Sequence, residues 1–303
     1  MVLFVNAIVL SSCSDTEKQP PKSSKGYLNV VVTTGMLKDA VEHIGADKFK
    51  VTALMGPGVD PHLYKASEGD VNRLDKADII VYNGLHLEGK MGDILHKMSN
   101  DKPSIAAGNL LHPDRLLSHS GSQGSHDPHI WFDLDLWASM IDSLGNQFAR
   151  IDSVNAEFYL DNTKSYTDEV RKLHNEVKEQ VSTIPRERRV LITAHDAFGY
   201  FGKAYDIEVR GLQGISTVSE YGLRDVTELV DFIVNRGIRA VFVETSVPAR
   251  SIEAVQTGVE ARGGHVVIGG SLFSDAMGEN GTPEGTYLGM VRHNVSMIVT
   301  ALR

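Results

Sequence analysis

Residues 153–184 read SVNAEFYLDNTKSYTDEVRKLHNEVKEQVSTI, and the fold turns on whether this stretch is one helix or several pieces. Phe158, Tyr166, Val170, Leu173, Val177 and Val181 recur at steps of three or four residues, or at multiples of them. Asp, Glu and Lys fill the faces between. Only a period near 3.6 puts those apolar positions on one side, so the spacing predicts a single amphipathic helix. Pro185 stops it, because proline brings no amide to the next turn.

On both sides of this stretch, β-rich runs alternate with helical ones. Before it come the strand candidates LNVVVTT (28–34), VTAL (51–54), ADIIVYNG (77–84) and SIAAG (104–108), with helical spacing in 35–45, 86–98 and 134–151. The near-continuous apolar character of ADIIVYNG suits a strand covered on both faces. Asp133 stands where it would cap the 134–151 helix. After Pro185 the rhythm restarts. RRVLITA (188–194), IEVRGLQ (207–213), AVFVET (240–245) and HVVIGGSL (265–272) read as strands, with helices over 197–206, 223–237, 248–264 and 286–303. Such alternation argues an α/β fold of two lobes, each with a mostly parallel sheet flanked by helices. The expected boundaries are 27–152 for the N-terminal lobe, 153–184 for the linking helix and 185–303 for the C-terminal lobe.

A chain of 303 residues with 42% hydrophobic content can build two modest cores. The formal net charge is −9 and no strong basic cluster occurs, which argues against a nucleic-acid partner. Cys13 is the one cysteine, so no intrachain disulfide can form. It follows Leu10-Ser11-Ser12 and the apolar run VLFVNAIVL, which is too short to cross a bilayer and fits the middle of a signal peptide. Small residues before a lone cysteine resemble a bacterial lipobox. The expectation is a signal peptide over 1–12, lipidation at Cys13, and a polar, proline-bearing tether over 13–26.

In open parallel sheets, ligands bind beyond the carboxyl ends of the strands. Polar residues just past those ends are therefore the candidates. After VTAL comes MGPGVDPHLYKAS with His62, and after the fourth strand candidate comes HSGSQGSHDPHIWFD with His129. His195 directly follows VLITA, and Ser274-Asp275 follows HVVIGGSL. Three imidazoles and one carboxylate suit a divalent transition metal such as zinc or manganese. Pro61 and Pro128 each precede a histidine and reduce the entropy lost when that side chain is held. Asp133 or Glu244 could accept an imidazole N–H and set its tautomer. His119 and His126 share the segment with His129 and read as solvent-facing loop residues that could at most help to recruit metal.

The blocks GPGVDPHLYKAS, DPHIWFD, LITAHDAFGYF, GIST and AVFVET, with the late Asp275, resemble the metal-binding receptors of bacterial zinc and manganese ABC transporters (the TroA-like, cluster A-I group). The likeness runs in the family's order from about residue 28 onward. It implies two α/β lobes joined by one long rigid helix, with the metal between them. It also implies His62, His129, His195 and Asp275 as ligands of one Zn2+ or Mn2+ ion, with three imidazoles tilting the choice towards zinc. Capture of metal outside the cytoplasmic membrane and delivery to a permease driven by an ATPase subunit would follow. Such a receptor is not an enzyme. It would be a monomer, lipid-anchored on the outer side of the cytoplasmic membrane or in the periplasm. Two rival readings are a zinc-dependent hydrolase and a surface adhesin-type lipoprotein. The hydrolase would want an open metal position and a general base, and the chain carries no HExxH motif.

Overall fold

The computed structural model describes residues 26–118 and 125–303. The expected signal peptide, Cys13, nearly all of the tether, and His119 lie outside the described residues.

The first half builds one sheet. Its elements are β1 (Leu28–Val32), α1 (Gly35–Gly45), β2 (Phe49–Ala53), α2 (Glu68–Lys76), β3 (Ile79–Tyr82), α3 (Gly92–Asp101), β4 (Ser104–Ala106) and α4 (Leu134–Ile151). The strands lie in the order β2-β1-β3-β4, all paired parallel. Side chains alternate across a strand, and here both faces are apolar. Val30, Val32, Ile79 and Val81 enter the large core beside α1 and α4, while Val31 and Ile80 join Leu74, Leu95 and Met98 on the opposite face. The carboxyl ends of β1, β2 and β3 thus deliver the loops that follow them to one edge of the sheet.

Two elements depart from the sequence reading. Helix α2 was not expected: of EGDVNRLDK, only Asp70 and Leu74 are buried, so the apolar period is nearly absent. Its start is nevertheless encoded, because Ser67 and Asp70 form a reciprocal capping box. Helix α3 begins at Gly92, later than the expected start at 86, since Leu85 and His86 adopt positive φ and cannot extend a right-handed helix.

The central stretch forms α5 (Ala156–Ser182), preceded by a short 3₁₀ turn at Ser153–Asn155. At 27 residues it runs about 40 Å. Tyr159, Thr163, Tyr166, Thr167, Val170, Leu173, Val177 and Val181 are its buried positions, with Phe158 packed only at the margin. It packs against α1 and α4 of the first half and against the helices Tyr287–Leu302 and Gly199–Tyr205 of the second. A single apolar core therefore runs along one face of α5 through both halves. At the α4 crossing, a Cβ on Gly145 would sit 2.1 Å from Thr163 Oγ1, so only glycine permits this approach.

The second half comprises β5 (Val190–His195), α6 (Gly199–Tyr205), β6 (Glu208–Gln213), α7 (Leu223–Arg236), β7 (Ala240–Glu244), α8 (Arg250–Ala261), β8 (Val267–Leu272) and α9 (Tyr287–Leu302). Its strands form two parallel pairs, β5–β6 and β7–β8, with β5 lying next to β7. An irregularity between Val241 and Phe242 shifts the β7–β8 register. The architecture is α/β, with parallel sheets flanked by helices and one long helix between the halves. Among the described residues, no helix is long and apolar enough to cross a membrane.

Candidate metal centre

Strand ends of the second half and loops of the first meet between the halves. His195 is the last residue of β5, and Glu244 is the last residue of β7. Asp275 lies three residues beyond β8, while His62 and His129 sit on loops after β2 and β4. The structure brings His62, His129, His195 and Asp275 together, with one donor atom from each lying within 4.8 Å of all the others. His129 and His195 are fully buried, and His62 and Asp275 are 2% exposed.

The separations have a metal's dimensions. His62 Nε2 lies 3.3 Å from His129 Nε2, and His129 Nε2 lies 3.4 Å from Asp275 Oδ1. His195 Nε2 is 3.3 Å and His62 Nε2 is 3.8 Å from Asp275 Oδ2. Four donors arranged tetrahedrally at zinc–nitrogen bond length stand about 3.4 Å apart. His195 Nε2 and both Asp275 oxygens are buried without a hydrogen-bond partner. Buried polar atoms are rarely left so, and the cost is recovered when a cation takes their lone pairs. The donor set fits one divalent ion. Both carboxylate oxygens face inward, so Asp275 could offer one bond or two.

The remaining ring nitrogens are held from behind. His195 Nδ1 pairs with Glu244 Oε2 at 2.6 Å, and Glu244 Oε1 accepts the His195 amide at 2.9 Å. For His129 the carboxylate is Asp127, not Asp133: Asp127 Oδ1 accepts both the His129 amide at 2.9 Å and Nδ1 at 2.7 Å. Asp133 instead caps α4, accepting from the amides of Asp135 and Leu136. The signal for Asp127 was present as the repeated triplet Asp-Pro-His. Asp60 likewise accepts the His62 amide at 2.8 Å, but its second oxygen takes the Thr217 hydroxyl at 2.6 Å from the second half. Asn83 was also missed. Its amide donates to Pro128 O at 3.0 Å, and buried Glu88 braces its turn by accepting the amides of Asn83 and Gly84. His126 is outside the cluster; it bridges to Ser118 in an isolated β contact.

Burial and neighbours set the charges. Burial pulls the His62 ring down to about 3, with Asp275 opposing and the other two rings adding to it. Burial also opposes charge on His129, yet Asp127 and Asp275 outweigh it and lift the ring to about 9. The same contest raises His195 well above the ordinary range, through Glu244 and Asp275. Asp275 is held well below the carboxylate range, since the His195 and His129 rings overcome its burial. Without metal, protons on the His129 and His195 rings offset the Asp275 charge. Metal must displace them, so binding releases protons and weakens as pH falls.

The family model described as "ZnuA: Zinc-uptake complex component A periplasmic" matches residues 30–301. The chain belongs to this ZnuA family. Among relatives, the "Manganese-binding lipoprotein MntA" of Bacillus subtilis (strain 168) is 49% identical over 282 residues, which is 93% of this chain and 92% of that protein. The "Zinc-binding protein TroA" of Treponema pallidum is 45% identical over 273 residues, covering 90% of this chain and 88% of that one. The solved structure of the periplasmic zinc-binding protein TroA from Treponema pallidum superposes with a TM-score of 0.89 over 91% of this chain and 99% of that chain. For this ZnuA-family chain, Asp127→Asn is expected to lower metal affinity about tenfold to hundredfold, the usual effect of losing a carboxylate behind a ligating imidazole. Isothermal titration with the wild type alongside measures it; equal affinities would remove Asp127 from the site.

Proposed function

We propose that this chain is the extracytoplasmic receptor of an ABC transporter for a divalent transition metal, zinc or manganese. In this reading it captures the ion between its halves, through His62, His129, His195 and Asp275, and delivers it to a permease coupled to an ATPase. The observation that carries the proposal is the buried set of three Nε2 atoms and one carboxylate at metal-bonding separations. Four protein donors leave no open position for a substrate or an activated water, which suits capture and not hydrolysis. The chain is a receptor and not an enzyme. Segments 27–152 and 185–303 act as the two lobes, with 153–184 as the link. The protein works as a monomer, held to the membrane through a lipid on Cys13.

The relatives named for their metals divide between manganese and zinc. Affinity in a test tube does not decide between them, because zinc outranks manganese at most nitrogen and oxygen sites. Uptake of radioactive zinc and of radioactive manganese into a deletion strain, with and without the restored gene, tests the function and the choice together. Loss of uptake of one metal, recovered by the wild-type gene and not by His195→Ala, is the expected result. Uptake of both metals unchanged in the deletion strain would overturn the proposal.

A further inference from the structure

Away from the four donors, a chain of hydrogen bonds ties the long helix to both sides of the cage. Asp39, on α1, is 7% exposed. One of its oxygens accepts the hydroxyl of Tyr166 on α5. The other accepts the backbone amide of Tyr287 at 3.1 Å, at the start of α9. A carboxylate is well placed there, since the first amides of a helix have no partners within it. The His43 ring lies flat on Tyr166, with centroids 3.9 Å apart, and its Nδ1 donates to Asp39 O at 2.8 Å. Three helices from three parts of the chain thus share one buried carboxylate.

From this junction Tyr287 reaches on. Its hydroxyl donates to Trp131 O at 2.7 Å, and the Trp131 indole donates to Ser274 O at 3.0 Å. Trp131 stands two residues after His129, and Ser274 immediately precedes Asp275. The relay Asp39–Tyr287–Trp131–Ser274 therefore ends on the backbone beside one donor from each half. Next to Asp39, the packing of the halves leaves a gap. A cavity of about 290 Å³ separates Lys38 and the Met55–Pro57 loop from Met277 and Asn280. These hydrogen bonds run through the apolar contacts of Trp131 and Trp137 with Tyr287 and fix their geometry.

We infer that the Asp39–Tyr287–Trp131 relay is a positioning unit that fixes the separation of His129 from Asp275, and with it the residence time of the captured metal. The inference rests on the metal-capture reading above. Its residues do not touch the ion; they act through the two donors that do. Breaking the relay is expected to speed metal loss without altering stoichiometry.

The test uses the whole chain loaded with zinc. Release into an excess of a chromogenic chelator is followed for the wild type, for Tyr287→Phe and for Asp39→Asn, with circular dichroism of each. Tyr287→Phe keeps the ring and removes the donor to Trp131 O, so it should fold, bind one zinc and release it about tenfold faster or more, as outer contacts of metal sites do. Asp39→Asn should act in the same direction. A merely structural role would lower the melting temperature and leave the release rate alone, and an unchanged rate in folded Tyr287→Phe overturns the inference. If Asp39→Asn fails to fold, Tyr287→Phe alone decides. Failure of the capture reading looks different: the wild type itself would then not hold stoichiometric zinc.

Discussion

His195→Ala is expected to abolish tight binding of zinc and manganese and to weaken the metal-free protein as well. The ring stands between two buried carboxylates, with Nδ1 2.6 Å from Glu244 and Nε2 3.3 Å from Asp275. Both carboxylates are inaccessible to water. Alanine removes one of four donors and strands those two charges without their cation. Removing one partner of a buried charge pair costs about 3–5 kcal/mol, because the other is left uncompensated. Calorimetric titration with metal and urea unfolding of the chelated protein read the two effects separately. Glu244→Gln provides the contrast. It keeps an acceptor for the ring and should cost about tenfold to hundredfold in affinity while the site still fills. Wild-type affinity in His195→Ala would contradict the assignment. A loss of affinity with no change in the stability of the chelated form would contradict the charge balance proposed for the metal-free site.

Loading with metal is expected to raise the stability of this protein by several kcal/mol. Metal binds the folded cage and has no preformed site in the unfolded chain, so the stabilisation grows with the logarithm of free metal over Kd. At a thousandfold excess over Kd it amounts to about 4 kcal/mol. The cage makes the effect specific. His195 Nε2 and both Asp275 oxygens, buried and without a good hydrogen bond in the bare cage, are the atoms the ion satisfies. A thermal melt with stoichiometric zinc should move well above the chelated melt and return on addition of a stronger chelator. Asp275→Ala, stripped or loaded, should melt at the same temperature. A shift of equal size in that variant would place the bound metal elsewhere.

Much of the candidate site was legible because a topological rule does the work. Ligands gather beyond the carboxyl ends of parallel strands, and β-rich runs betray where those ends fall. His195 and Glu244 are the last residues of β5 and β7, so reading the strands is nearly reading the site. Asp127 was less legible, because Asp133 also stands close to His129 in sequence and only the fold shows that the α4 amides claim it. A proline between an aspartate and a histidine folds the carboxylate back on the histidine's own amide, and the triplet occurs twice. In the fold, ADIIVYNG carried a near-continuous apolar run and the 153–184 helix a strong period. Helix α2 carried neither, because a short helix with Leu74 as its one buried apolar residue has almost no hydrophobic period. The register shift between β7 and β8 at Val241 and Phe242 is a local irregularity that no periodicity encodes. The bond from Asp39 to the Tyr287 amide joins residues 248 apart, beyond the reach of any local pattern.

One divalent ion is expected among the side chains of His62, His129, His195 and Asp275. Anomalous diffraction at the metal's absorption edge, from crystals of protein purified from its native envelope, tests it most directly. A single strong peak is expected, bonded to the Nε2 atoms of His62, His129 and His195 and to the Asp275 carboxylate. A peak elsewhere, or none in protein that carries stoichiometric metal in solution, would contradict it.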